Sequence, residues 1–255
     1  LDLHFLGSGS KGNALLVSCG RTRVLLEAGL PAETLRERML AVGALPSSLD
    51  AIVVTHGHHD HVAAAAIFSR DHGLPVHAAR ATFRDPAKRP ERLSIFEPGR
   101  PFEVGELRFR PFRVPHDAVP TVGFVVEGSD GRRLGYTTDC GHPRPDVAEA
   151  LGGVAALVLE FNHDLAMLRE GPYPWPLKDR IAGPDGHLSN DQAAEILERV
   201  AHAGLTRVFL AHLSEKNNRP ELALGAARAA LERAGLPGVP VEALAQHATL
   251  GPVAF

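Results

Sequence analysis

The chain opens on an alternation. Leu1, Leu3 and Phe5 are separated by Asp2 and His4, the period-two pattern of a half-buried strand over 1–6. A loop of small residues, GSGSKGN (7–13), separates it from an apolar run at 14–18, and TRVLLEAG (22–29) reads as another strand ending in glycine. The period then lengthens. Residues 31–43 start at Pro31, stop at Gly43 and carry apolar residues at helical spacing. DAIVVTH (50–56) is a short buried strand, 61–73 a helix closed by Gly73, and 75–78 a strand. Residues 80–113 are rich in Pro and Arg, with strands at 93–96 and 106–114. TVGFVVEG (121–128) and RRLGYTTD (132–139) alternate around Ser129-Asp130-Gly131 as a hairpin. A helix near 144–151, a strand at 154–161 and a helix near 164–170 follow. Residues 171–188, interrupted by Pro172, Pro174, Pro176 and Pro184, read as loop. Ser189 with Gln192 forms a capping-box signature for a helix running to about 203. A strand (206–214), a helix (220–235) and a strand (239–244) close the pattern. The order, without linker, low-complexity tract or internal repeat, predicts one domain over 1–255: two sheets with helices outside.

Composition narrows the setting more than the activity. Apolar residues make up 44% of the 255 positions, enough for a substantial core, and the net charge of −3 carries no global signal for nucleic acid or membrane. Two cysteines, Cys19 and Cys140, are too few for a disulfide framework, which suits a reducing cytosol. No run approaches the length of a membrane span and no secretory pattern opens the chain, so the expectation is a cytoplasmic protein with no membrane partner. The 14 histidines matter for where they stand.

Residues 55–61 read THGHHDH. His56 and His58, two apart, can face one side of an extended segment; His59 then points away. Asp60 and His61 stand at a helix entry, where the chain turns and can aim them elsewhere. Gly57 lets the first pair close on one ion without crowding. Three more candidates follow predicted strands: His116, Asp139 and His212. His116 would complete a first site with His56 and His58, and His212 a second with Asp60 and His61. Asp139 could bridge them through its two oxygens. Imidazole and carboxylate without thiolate suit two divalent ions, Zn²⁺ first, with Mn²⁺ or Fe²⁺ as alternatives. Any one of these histidines alone would sooner be a surface or core residue; the run is what chance seldom assembles.

This run, with the later His, Asp and His, resembles the metallo-β-lactamase superfamily. SGSKGN (8–13), HDAVPTVGF (116–124), EFNHD (160–164), YPWPLKDRIAGPDGHLSN (173–190) and HLSEKNN (212–218) are similar to its YycJ (WalJ) branch. The resemblance spans nearly the whole chain. It implies a four-layer αββα sandwich, a dinuclear site at the sheet edges and a phosphodiesterase. More finely, it implies a 5′→3′ exonuclease on DNA (or RNA) ends with a metal-bridging hydroxide as nucleophile, related to the tRNA 3′-processing nucleases. The chain departs from the usual pattern at Glu27 (usually Asp), Phe161 (Ser) and Cys140 (Thr), none of them a metal ligand.

The resemblance also implies that Glu160 and His187 act together near a scissile phosphate, an imidazolium held by a carboxylate protonating the departing sugar oxygen; the alternative is that His187 packs at the start of the 190–203 helix. Asp60 belongs to both the metal and the catalytic set. His163 either lines the cleft or binds metal, or belongs to a local turn with Asn162 and Asp164. Arg180, Lys216, Asn217 and Asn218 are candidate phosphate donors. Ser10 and Asn13 lie in a small-residue loop that can offer backbone N–H groups, with a tight turn as the plain alternative. Residues 80–113 carry nine basic and five acidic side chains, a surplus of four cations that reads equally as a DNA-backbone patch or as solvated surface. Two other functions stay open: hydrolysis of a lactone, thioester or lactam on the same fold, and a non-catalytic binding module, against which the intact ligand set speaks. A homo-oligomer is also compatible with the sequence.

Overall fold

The computed structural model describes all 255 residues. Two seven-stranded sheets stack face to face. The first contains β1 (Asp2–Gly7), β2 (Ala14–Cys19), β3 (Thr22–Leu26), β4 (Ala51–Val53), β5 (Val76–Ala79) and β6 (Leu93–Phe96), and is completed on the far side of β1 by β14 (Leu250–Ala254). The second runs β7 (Phe102–Val104), β8 (Leu107–Arg113), β9 (Val122–Gly128), β10 (Arg133–Thr137), β11 (Ala156–Glu160), β12 (Arg207–Ala211), β13 (Val241–Ala243).

Alternation along each strand builds three cores. On β11, Ala156 and Val158 face the other sheet, whereas Leu157 and Leu159 face outward. The inward set, with Leu3, Phe5, Phe109, Phe124 and Phe209, fills the space between the sheets. Outside the first sheet lie α1 (Ala32–Ala41), through Leu35 and Met39, and α3 (Ala65–His72), through Phe68. Outside the second lie α4 (Pro145–Ala150), α7 (Asn190–Val200) and α8 (Pro220–Arg233), the last on a small-residue face of Ala223, Ala227 and Ala230. The result is an αββα sandwich, as the order of elements predicts. No helix is long and apolar enough to cross a membrane.

Several features differ from the sequence expectations, among them the short strand β7, which the sequence pattern does not predict. The single helix over 61–73 is two pieces, α2 (His59–Val62) and α3. The break has a cause: Ala64 N–H donates to Ala28 O at 2.8 Å instead of Asp60 O, and Asp60 O accepts from Asn13 N at 2.8 Å. The stretch 171–188 is not all loop, since Trp175–Ala182 forms α6, after the short α5 (Leu165–Glu170). Pro176 sits in its first turn, where a missing N–H costs nothing. β14 is an unpredicted edge strand that pairs antiparallel with β1. Finally, α7 stops at Val200 rather than near 203, although its Ser189–Gln192 capping box is complete.

Parallel pairing positions the site. β10, β11 and β12 run parallel, so the residues just past their C-terminal ends share one edge; β3 and β4 do the same in the other sheet. Asp139 (φ 56°) and His212 (φ 54°) follow β10 and β12 in left-handed backbone, as does Glu27 (φ 68°) after β3. Such a conformation is uncommon outside glycine and persists only where surrounding structure holds it; here it turns three polar side chains to the same rim.

Candidate metal centre

Four chain segments bring their side chains to that rim. His56 follows β4, His58 precedes α2, Asp60 and His61 lie within α2, His116 follows β8, and Asp139 and His212 end β10 and β12. The donor atoms fall into contiguous groups, each with its members within 4.8 Å of one another: His56, His58 and His116; Asp60, His61, Asp139 and His212; and Asp139, Glu160, His187 and His212. The first two groups follow the division read from THGHHDH. Asp139 stands between them, with Oδ2 3.1 Å from His61 Nε2 and Oδ1 3.8 Å from His116 Nε2. His59 is exposed and lies outside every group.

Neighbouring groups fix which ring atom each histidine presents. His116 Nδ1–H donates to Gly186 O at 2.9 Å, a bond only a protonated Nδ1 can make, so Nε2 faces the centre. His58 turns the other way: Nε2 lies 3.3 Å from Asp117 Oδ1 and Nδ1 is 3.2 Å from His116 Nε2. His56 Nδ1 contacts Thr55 Oγ1 at 2.9 Å. His61 Nδ1 lies 3.3 Å from the wholly buried Glu27 carboxylate, which leaves Nε2 for the centre. The backbone of His212 is held by Ser8 Oγ, which accepts its N–H at 2.9 Å, and Asn162 Nδ2 donates to its carbonyl at 2.9 Å. For these supporting contacts of Asp117, Glu27, Ser8 and Asn162 the sequence carries no signal beyond adjacency to the motifs.

These donors suit divalent cations. His56 Nε2 is buried with no hydrogen-bond partner, an arrangement that is costly unless something else satisfies it. The His56 ring packs against His61 and His58 at 4.1 and 4.8 Å between centroids. Burial, with His61 nearby, pushes the His56 pKa well below the ordinary value and leaves a neutral ring with a free lone pair. Burial also works against charge on His61 and His212. There Asp139 and the other surrounding carboxylates outweigh it and raise both pKa values, so cations would compete with those protons.

The Glu160–His187 pair adjoins the centre. Glu160 Oε1 lies 2.8 Å from His187 Nδ1 and 3.3 Å from His212 Nδ1. Its Oε2 accepts from Cys140 N at 2.8 Å and Leu188 N at 3.2 Å. Burial alone would raise the Glu160 pKa, but His187 and the other donors hold it down at about 2. Burial alone would lower that of His187, yet Glu160 raises it. His187 remains partly exposed to the cleft.

The other candidates lie elsewhere. His163 is fully buried, belongs to no donor group, and both its ring nitrogens are unpartnered; burial lowers its pKa to about 4. Arg180 is at the rim, where Nη2 pairs with Asp117 Oδ2 at 2.6 Å. The expectation that Asn217 and Asn218 hold phosphate meets a physical obstacle. Both are buried, and Asn218 Nδ2 already serves Phe161 O, Asn190 Oδ1 and Asn162 O at 2.9 to 3.1 Å. Lys216, just before these two residues, is exposed. Asn13 is likewise internal: Oδ1 accepts from Gly9 N at 2.9 Å and Nδ2 sits 3.2 Å from His61 Nε2. Ser10 is exposed on that loop. Gly57 spares crowding against a different neighbour than expected, since a Cβ there would come 2.4 Å from Thr82 O.

A two-sheet sandwich with a histidine and carboxylate donor set at the sheet edges is the build of a metal-dependent hydrolase. The chain belongs to the metallo-β-lactamase superfamily: the family profile described as "Beta-lactamase superfamily domain" matches residues 22–213. It is similar to "Exodeoxyribonuclease WalJ" of Streptococcus pneumoniae, 32% identical over 225 residues covering 86% of this chain and 83% of the relative. It is also similar to "Exodeoxyribonuclease YycJ" of Bacillus anthracis, 33% identical over 242 residues covering 92% and 91%. Among solved structures, the metallo-β-lactamase fold protein YhfI of Bacillus subtilis superposes with a TM-score of 0.75 at 17% identity, covering 98% of this chain and 99% of that one, a likeness of fold.

Proposed function

We propose that the protein is an exonuclease that removes nucleotides 5′→3′ from DNA ends, using two divalent ions, zinc being the best match to the donor set. The relatives named exodeoxyribonuclease support a nucleic-acid substrate. The observation that carries the chemistry is the Glu160–His187 pair standing against the donor group that contains Asp139 and His212. A thioester hydrolase on this fold, whose thiolate leaves without a proton, needs only the metal donors; a group that can protonate a departing sugar alkoxide is what phosphodiester cleavage adds.

His56, His58 and His116 would hold one ion and Asp60, His61 and His212 the other, with Asp139 shared. Bound ions supply Lewis acidity, which acidifies water and screens the charge on a phosphoryl group. The chain's own residues do the rest. Glu160 Oε1 accepts from His187 Nδ1–H and favours the imidazolium, leaving Nε2–H to donate to the departing sugar oxygen. Because Glu160 Oε2 is tied to two backbone N–H groups, the carboxylate cannot swing away as the proton moves. Glu160 also touches His212, which couples the acid to the metal-ligand shell. Asp117 orients His58 from one side and is clamped by Arg180 from the other, which supports a role for Arg180 beside the centre.

The test is a substrate panel with zinc-reconstituted protein: single- and double-stranded DNA, RNA, an acyl-homoserine lactone and an acyl thioester. Digestion of DNA with no turnover of lactone or thioester supports the reading. Turnover of the lactone or thioester with every nucleic-acid end left intact refutes it.

A further inference from the structure

Beside the His58 donor group lies a cleft of about 400 Å³ that the chemistry above does not use. Its walls are the loop after β5, with Phe83, Arg84 and Lys88, and the loop after His116, with Asp117 and Val119; Gly57 lies at its inner end. The volume falls in the range of roughly 300–1,000 Å³ common for ligand sites. Gly57 and Asp117 join it to the metal centre, since Gly57 sits between two ligands and Asp117 contacts His58.

The two cations in the cleft, Arg84 and Lys88, have no carboxylate partner. The cleft's carboxylates are engaged elsewhere: Asp85 accepts from Ala87 N at 3.0 Å, and Asp117 pairs with Arg180 and His58. Arg84 Nη2 donates to Val119 O at 2.9 Å across the mouth and Lys88 is exposed; neither is neutralised by those carboxylates. Of the basic residues in 80–113, Arg100 pairs with Glu97 and Arg110 with Glu127, whereas Arg84 and Lys88 form no ion pair and are the two that line the cleft beside the site. Phe83 and Val119, the latter 64% exposed, add apolar surface.

We infer that this cleft is the subsite for the nucleotides flanking the scissile phosphate, and that it takes a single strand. Lys88 and Arg84 hold successive backbone phosphates, and Phe83 with Val119 packs against a base or sugar. Two cations plus one aromatic is the composition that grips a strand without reading its sequence. The inference rests on the proposed nuclease reading.

The test uses the full chain, zinc-loaded, and a short phosphorothioate-linked, 5′-phosphorylated oligodeoxythymidylate, with binding followed by fluorescence anisotropy across a salt series. The R84A/K88A variant is expected to bind on the order of tenfold more weakly, and the slope of log Kd against log salt to fall by about 1.4, roughly 0.7 per phosphate contact on a single strand. R84K/K88R, which keeps both charges, restores the slope. R108A/R228A removes the same charge from exposed sites outside the cleft and leaves the slope unchanged. An unchanged slope in R84A/K88A, or an equal loss in R108A/R228A, overturns the subsite while wild-type digestion of DNA leaves the nuclease reading standing. A wild-type protein that neither binds the oligonucleotide nor cuts DNA overturns both.

Discussion

Replacing His187 by alanine separates acid catalysis from metal chemistry. His187 Nδ1 lies 2.8 Å from Glu160 Oε1 and 3.6 Å from Asp139 Oδ1, so two carboxylates favour its protonated form against the cost of burial. A positioned general acid contributes roughly 10²–10⁴ in rate, equivalent to about 2.7–5.4 kcal/mol of transition-state stabilisation. That contribution is needed only when the leaving group departs as a poor alkoxide. We therefore expect His187→Ala to lose about 10²–10⁴ in kcat on DNA but far less on the p-nitrophenyl ester of thymidine 5′-monophosphate, whose nitrophenolate leaves without a proton. The assay is steady-state kinetics on both substrates, with metal content checked by elemental analysis. An equal loss on both substrates would refute the acid role and reassign His187 to metal or substrate binding; no loss on DNA would remove it from the mechanism.

Three further outcomes follow from named contacts. Asp139→Ala removes the carboxylate between the two donor groups, so a folded variant should lose both bound metal and DNA cleavage; full activity in that protein would disprove the shared-ligand role. Chelation should lower the melting temperature, because ions that bind only the folded state stabilise it by about 4 kcal/mol when they stand roughly 1,000-fold above their dissociation constant. At about 2–4 °C per kcal/mol for a chain of this size, an unmoved melting curve with and without chelator would show that the donors hold nothing. Asn218→Ala strands the carbonyls of Phe161 and Asn162 together with Asn190 Oδ1, which costs about 2–4 kcal/mol. Calorimetry should show the loss of stability, while the salt slope of oligonucleotide binding stays put; the opposite pair of results would return Asn218 to the phosphate site.

What could be read in advance depended on how local the signal was. His56, His58, Asp60 and His61 sit in one short run, and strand ends marked His116, Asp139 and His212; for the last two, parallel pairing places the strand ends along one edge. The layered fold was legible for the same reason: alternation on β11 and helical spacing on α7 are properties of neighbouring residues. What depended on distant partners was not. The break after α2 arises because Asn13 and Ala28 take the hydrogen bonds of Asp60 and Ala64. Trp175–Ala182 is rich in the prolines that suggest loop, yet Pro176 falls where a helix tolerates it. β14 contains Gly251 and Pro252 and forms only as an edge strand beside β1. Asn217 and Asn218 have the chemistry of phosphate donors, and only burial reveals that their loop uses it internally. Conversely, the Arg-rich stretch could not be divided into paired and free cations until Glu97 and Glu127 were placed.

The central claim is the direction and chemistry of strand removal. The measurement that tests it most directly is digestion of single-stranded DNA carrying a 5′-phosphate, by zinc-reconstituted protein, with separate labels at each end and products resolved by length. Stepwise loss of mononucleotides from the 5′ end, abolished by chelation and restored by zinc, is the predicted result. Shortening from the 3′ end, internal cleavage, or an intact strand in the presence of bound zinc would contradict it.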